Sequence, residues 1–236
     1  MSGPRNIVIL TGAGISAESG LATFRGPDGL WEGHRVEEVA TPEAFRRDPR
    51  LVHAFYDARR ARLDEVEPNL AHLALARLDS GWPGELLVVT QNVDDLHERA
   101  GQRRLLHMHG KLTSGLCLSC NERFGWRGPM GEAASCPLCQ VSGRVRPDIV
   151  WFGEMPYEMD RIEEALMSCD LFVSIGTSGA VYPAAGFVQT ARYCGAATLE
   201  INLEPGQGSI FFDERRYGPA SIEVPIWVDE LLAGAV

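Results

Sequence analysis

Two Cys-x-x-Cys pairs, Cys117/Cys120 and Cys136/Cys139, stand 15 residues apart in a stretch with little else to hold it together. From Leu112 to Val145 glycine, proline, serine and cysteine rise, and aliphatic periodicity disappears. Such a segment buries too little apolar surface to fold alone, so it needs a staple. Four thiols at this spacing suit a tetrahedral zinc site. The competing reading is two redox pairs or disulfides, which a reducing compartment disfavours. Cys169 and Cys194 sit among apolar neighbours and read as buried packing residues.

The flanking sequence alternates strand and helix signals. Asn6–Leu10, Leu86–Val89, Leu105–Met108, Pro147–Phe152, Leu171–Ile175 and Thr198–Leu203 read as strands. Gly14–Gly20 reads as the start of a helix, and Pro42–Asp64 as helix in two pieces broken near Pro49. Pro68 opens a helix with Leu70, Leu73, Ala74 and Leu78 on one face. Pro156–Ser168 and Pro183–Tyr193 are helical, and Ile226–Leu232 reads as a closing strand-helix remnant. Alternation of this kind gives an α/β fold, a Rossmann-like doubly wound parallel sheet covered on both faces. The cysteine segment interrupts it as a small inserted zinc-binding module.

With 236 residues, 45% of them hydrophobic and 23% charged, the chain has the make-up of one globular domain with an insert. A net charge of −10 argues against a general nucleic-acid binder. The aliphatic run Ile7-Val8-Ile9-Leu10 falls short of the roughly 7–15 residues of a secretory core and the roughly 18 of a membrane helix. A cytoplasmic protein with no membrane partner is expected, with monomer as the default.

After the first strand comes Thr11-Gly12-Ala13-Gly14-Ile15-Ser16. Glycines there let a backbone approach a pyrophosphate at a helix N-terminus, yet the same pattern also makes a common tight turn. The dinucleotide fingerprint puts a third glycine where Ala17 stands, and an acidic residue at the end of a second strand that is not evident here. Thr23, Phe24, Arg25 and Trp31 follow; an arginine can pair with phosphate and an aromatic ring can cover a planar one. Further on lie Thr90-Gln91-Asn92-Val93-Asp94 and His107-Met108-His109-Gly110. The amides and carboxylate close a strand at the sheet edge where ligands bind, although Asn92 or Asp94 could equally cap a helix. Two residues apart, His107 and His109 share a side, so the pattern does not choose a base between them. His34, His53, His72 and His97 read as exposed or structural.

These motifs, with the four cysteines, the run Arg146-Pro147-Asp148-Ile149-Val150-Trp151-Phe152-Gly153-Glu154, Gly176-Thr177-Ser178 and Asn202-Leu203-Glu204, resemble the sirtuin family in its order, from about Asn6 to about Ala220. The resemblance implies an NAD-dependent protein-lysine deacylase that releases nicotinamide and O-acyl-ADP-ribose, with NAD as co-substrate and one structural zinc on Cys117, Cys120, Cys136 and Cys139. It implies one catalytic domain over residues 1–236. The Rossmann-like part would span about 1–33, 80–111 and 147–236, and a small module would combine a helical part at about 34–79 with a zinc ribbon at about 112–146.

It implies His109 as general base. Gly12, Ala13, Gly14, Ala17, Thr23, Phe24, Arg25, Trp31, Gln91, Asn92, Asp94, Gly176, Thr177, Ser178, Asn202, Leu203, Glu204 and Ala220 would contact NAD. Ile149, Val150, Trp151, Phe152, Gly153 and Glu154 would pair with substrate backbone and wall the lysine tunnel. Tyr56 and Arg59, three apart on a helix, look like the family's pair for acyl carboxylates, with Ala40 widening the pocket. Deacetylation together with desuccinylation or demalonylation is therefore expected. NAD hydrolase or mono-ADP-ribosyltransferase activity on the same scaffold is the alternative, and a non-enzymatic NAD-sensing adaptor a third.

Overall fold

A computed structural model describes residues 5–23, 31, 33–131 and 133–234. Phe24 and Arg25 lie outside them. In chain order the elements are β1 (Asn6–Thr11), α1 (Ala13–Ala17), α2 (Val36–Val39), α3 (Pro42–Arg47), α4 (Pro49–Arg62), α5 (Leu70–Gly81), β2 (Glu85–Thr90) and α6 (Leu96–Ala100). Then follow β3 (Leu105–His107), β4 (Gly110–Cys117), β5 (Arg123–Gly125), β6 (Val145–Ile149), α7 (Met159–Ser168), β7 (Leu171–Ile175), α8 (Phe187–Tyr193), β8 (Ala197–Asn202), β9 (Glu214–Tyr217) and α9 (Ala220–Ala233).

Six strands form one sheet in the order β3-β2-β1-β7-β8-β9, and every pair in it is parallel. Side-chain alternation explains its two layers. Ile7, Ile9, Leu86, Val88, Val173 and Ile175 point into a core shared with α5 and α9. Val8, Leu10, Leu87, Val89 and Phe172 point the other way, into a core with α7 and α8. A second, antiparallel sheet, β5-β4-β6, carries the cysteines, and residues 145–149 pair with β4 there.

Several expectations change. In α5 the buried face is Ala71, Ala74, Leu75 and Leu78, while Leu70 and Leu73 are exposed. The cap is Asn69, whose Oδ1 accepts from the Ala71 N–H at 3.0 Å, so Leu70 falls on the first, outward turn. The C-terminal segment is a full helix, α9, despite the internal Pro225. Val224, Trp227 and Val228 anchor it in the core against α5, and that burial offsets the lost backbone bond. The helix opening at the glycine loop stops at Ala17, and Gly20 turns the chain with φ 96°. Cys194 is exposed rather than buried, one residue past the end of α8. Among the described residues no helix is long and apolar enough to cross a membrane.

Candidate functional site

The parallel sheet brings the C-terminal ends of β1, β2, β3, β7 and β8 to one edge, where an α/β fold places its ligands. At its centre two glycine turns interlock. Gly12 N–H donates to Ile175 O at 3.0 Å and Gly14 N–H to Gly176 O at 2.8 Å. A Cβ on Gly14 would come within 2.7 Å of Gly176 Cα, and one on Gly176 (φ 62°) within 2.4 Å of Ile15 N. The glycines are thus needed for backbone-to-backbone closeness, a reason additional to ligand approach. Ala13 is half-buried beside them, and Ala17 and Thr23 are exposed.

Ser16, on α1, faces the end of β2. Its hydroxyl donates to Asp94 Oδ2 at 3.0 Å and accepts from Asn92 Nδ2 at 3.0 Å. Asp94 Oδ1 also accepts from Leu96 N–H at 3.2 Å, a local turn bond, while the N-cap of α6 is Asp95 and has no side-chain cap, so neither Asn92 nor Asp94 is the helix cap. Burial raises the Asp94 carboxyl above its ordinary range. Ser16 is absent from the expected site residues. The signal that could have found it is its place on the first turn after the glycine loop.

Both histidines of His107-Met108-His109 reach the chain leaving β2. His107 Nδ1 bonds Asn92 O at 3.0 Å and its Nε2 bonds Glu98 Oε1 at 2.9 Å, so both nitrogens are engaged. Burial would raise Glu98, but His107 and Lys111 outweigh it and bring the carboxyl to about 2. His109 Nδ1 bonds Gln91 O at 3.1 Å, and among the described residues Nε2 has no hydrogen-bond partner. A carbonyl can only accept, so Nδ1 carries the proton and Nε2 keeps its lone pair. Burial lowers the pKa of His109 and the bond to Gln91 opposes it only in part, which keeps the ring neutral near pH 7. Of the two, only His109 has the geometry of a base.

Along the edge, Asn202 Nδ2 donates to Thr177 O at 2.8 Å, joining the ends of β7 and β8. Ser178 O accepts from Gln207 N–H at 2.9 Å. Leu203 and Glu204 are exposed, and Ala220 is half-buried at the start of α9. Gln91, Thr177 and Glu200 line a small cavity between these ends.

On the module side, Tyr56 is fully buried, and its hydroxyl oxygen accepts from Trp151 Nε1 at 3.0 Å. Burial pushes the phenol well above its ordinary range. The Arg59 guanidinium lies 4.3 Å over the Trp31 ring, and Trp31 packs edge-on to Tyr56 at 6.3 Å. Ala40, Tyr56, Ile149 and Trp151 share this core. Val150 N–H donates to His109 O at 2.9 Å and Phe152 N–H to Ala40 O at 3.0 Å, so these two amides are already committed within the chain. Glu154 accepts two bonds from Arg146 and one from Trp151 N–H, at 2.7, 2.9 and 2.8 Å. It anchors the bend after β6. Phe152 and Gly153 are exposed.

Cys117, Cys120, Cys136 and Cys139 place their sulfurs within 4.8 Å of one another, with Cys117–Cys139 at 3.6 Å and Cys120–Cys136 at 3.8 Å. A tetrahedron with Zn–S bonds near 2.3 Å has sulfur edges of about 3.8 Å. Two matching knuckles produce it: Asn121 N–H bonds Cys117 O and Gln140 N–H bonds Cys136 O, with φ 60° and 63° at the two donors. Four thiolates would fill the shell and leave no position for a catalytic water.

Residues 12–183 match the model of the Sir2 family. A protein of Vibrio vulnificus (strain YJ016) named NAD-dependent protein deacylase is 56% identical over 231 residues, 97% of this chain and 94% of that one. A crystal structure of a Sir2 homolog–NAD complex superposes with a TM-score of 0.89 at 38% identity, covering 99% of this chain and 91% of the other. A Sir2 protein bound to acetylated peptide gives 0.82 at 25% identity, covering 99% and 95%.

Proposed function

The chain belongs to the Sir2 family, and from that premise and the cleft described above we propose that it is an NAD-dependent protein-lysine deacylase releasing nicotinamide and O-acyl-ADP-ribose. The observation that carries this reading is His109, neutral, with its tautomer set by Gln91 O and its Nε2 lone pair unbonded among the described residues, at the sheet edge that carries the glycine turns. Bound NAD supplies a ribose carbon with a good leaving group, to which an acyl oxygen can add.

The protein's own part is binding, orientation and proton transfer. Gly12, Gly14 and Gly176 keep side-chain bulk out of the turns that receive the phosphates, with Thr177 beside them. Asn92 and Asp94 offer an amide and a carboxylate to the ribose and carboxamide. Asn202, Leu203, Glu204 and Ala220 lie toward the adenosine end. His109 Nε2 accepts a ribose hydroxyl proton. Ile149, Trp151 and Phe152 wall the lysine stem and limit water. The four cysteines hold zinc as a structural ion.

Tyr56 and Arg59 supply the acyl selectivity. An indole N–H only donates, so the Tyr56 oxygen is an acceptor toward Trp151 and its own O–H remains to donate. A carboxylate at the end of a succinyl or malonyl chain is the fitting acceptor, with the Arg59 charge nearby.

The test is mass spectrometry of purified protein with acetyl- and succinyl-lysine peptides, with and without NAD. Both peptides should lose their acyl groups only with NAD, with O-acyl-ADP-ribose formed. His109→Ala should cut turnover about a hundredfold or more without loss of zinc. Free ADP-ribose with untouched peptide would mean an NAD hydrolase instead.

A further inference from the structure

Helix α4 carries Tyr56 and Arg59 toward the proposed acyl pocket, and two further charges on it that the reaction does not use. Arg60 and Asp57 form an ion pair at 2.6 Å, with 4% and 19% of their side chains exposed. Arg60 Nε donates to Leu112 O at 2.6 Å, and its Nη1 donates to Gly128 O at 3.2 Å as well as to Asp57 Oδ1. Asp57 Oδ1 also accepts the Met130 N–H at 2.8 Å. Every partner outside α4 therefore belongs to β4 or to the chain just after β5. A buried charge pair gains little over a well-packed apolar pair of the same size, so stability alone is a poor reason for it.

Helix geometry says what these bonds restrain. At 3.6 residues per turn, Arg59, Tyr56, Arg60 and Asp57 follow one another round the axis over about 160°. Tyr56 shares its core with Leu112, the residue whose carbonyl Arg60 holds. The Leu112 N–H in turn donates to Val93 O at 2.8 Å, between Asn92 and Asp94. Arg60 thus ties α4 to a strand that is itself tied to the cofactor side of the cleft. A roll of α4 by about 20° would shift a side-chain tip about 6 Å from the axis by about 2 Å, enough to lose a hydrogen bond. Carbonyls fixed in a strand resist that roll. We propose that Arg60, with Asp57, is a positioning residue that sets the roll of α4 against β4 and the small sheet, and so aims Arg59 at the carboxylate of an acidic acyl chain. An acetyl group has no carboxylate to meet, so the effect is confined to acidic acyl substrates. The inference rests on the reading that Tyr56 and Arg59 select the acyl group.

Steady-state kinetics on acetyl- and succinyl-lysine peptides of one sequence, at saturating NAD, test this. Arg60→Met should raise KM for the succinyl peptide and lower its kcat/KM about tenfold, the loss of one hydrogen bond to a charged group. Deacetylation should stay within about threefold of the parent, as for a substrate that never made that bond. Zinc content should be unchanged. Arg60→Lys keeps the charge opposite Asp57 but lacks the planar fork that spans Leu112 and Gly128, and should fall between methionine and the parent. In an Arg59→Met background, Arg60→Met should take nothing further from desuccinylation, because its effect passes through Arg59.

A matching loss on both peptides, or a lowered melting temperature with the ratio of the two activities unchanged, would mean that the pair only fastens the small sheet, and the proposal would fall. Additive losses from Arg59→Met and Arg60→Met would also overturn it. If the methionine variant does not fold, Asp57→Asn carries the same expectation in direction, a greater loss on the succinyl than on the acetyl peptide. Its Oδ1 can still take the Met130 N–H but offers Arg60 no charge. Arg59→Met alone separates the two levels. If it lowers desuccinylation selectively while the Arg60 and Asp57 variants do not, only the positioning role fails. If none of them is selective, the carboxylate-pair reading fails, and the positioning role with it.

Discussion

At the scale of single residues the site works by fixing which atom donates. Fixed partners set each contact: Gln91 O orients His109, Asn92 O and the Glu98 carboxylate engage His107, and the Trp151 indole N–H orients Tyr56. Tyr56→Phe removes a hydroxyl whose only assigned task beyond accepting from Trp151 is to donate to an acyl carboxylate. Desuccinylation kcat/KM should fall tenfold or more for Tyr56→Phe and for Arg59→Met, with deacetylation changing far less. Equal losses on acetyl- and succinyl-lysine peptides would remove the carboxylate-pair reading. The residue types were legible in the sequence, because Gln91-Asn92-x-Asp94 and His-x-His carry their chemistry openly. The choice between His107 and His109 was not legible from the pattern, since it depends on Glu98, nine residues away on α6, which occupies the second nitrogen of His107. Ser16 was hidden for a similar reason: its partners, Asn92 and Asp94, lie 76 and 78 residues further along the chain.

At the scale of elements, the small sheet depends on its knuckles. Its apolar cluster holds little beyond Met130 and Val145 with the cysteines themselves, and Phe124, Trp126 and Ala134 pack on it only partly buried. Replacing Cys117 by Ser should release zinc and lower the melting temperature, and an unchanged zinc content and melting temperature would contradict a structural ion. The ribbon is also clasped to α4. Buried Arg60 donates to Leu112 O at 2.6 Å, to Gly128 O at 3.2 Å and to Asp57 Oδ1 at 2.6 Å, and Asp57 Oδ1 receives Met130 N–H at 2.8 Å. Strands of the large sheet were readable because continuous apolar runs bounded by turns leave few alternatives. Strand β9, Glu-Arg-Arg-Tyr, was not, because a polar edge strand has no hydrophobic period. The full length of α9 was not legible, because the helix runs through Pro225, whose penalty tertiary burial offsets.

At the scale of the whole molecule, buried neutral histidines tie stability to pH. His72, His97 and His109 all have pKa values lowered by burial. As pH falls below 6.5 the unfolded chain binds protons that the folded chain refuses, so stability declines from that point. His72, shifted from 6.5 to about 4, would account for about 3 kcal/mol of loss by pH 4. Glu98 at about 2, with Asp79 and Glu154 also lowered, then adds to the decline through the carboxylate range. Asp94, raised by burial, works against it. Urea midpoints should therefore drop steadily between pH 6.5 and 4, and a midpoint flat over that interval would show that these rings are not buried and neutral. The fold class was legible across the chain, and the family resemblance also grouped the helical and cysteine segments in one small module; the side chains that join them were not legible, because they lie far apart in sequence. Residues of α4 pack on β4 and β6 although β2 and β3 intervene between them in sequence. The covering lobe is therefore stitched from two separate excursions, and no single cut would free a minimal dinucleotide-binding unit: removing either loop strips the other of its hydrophobic underside.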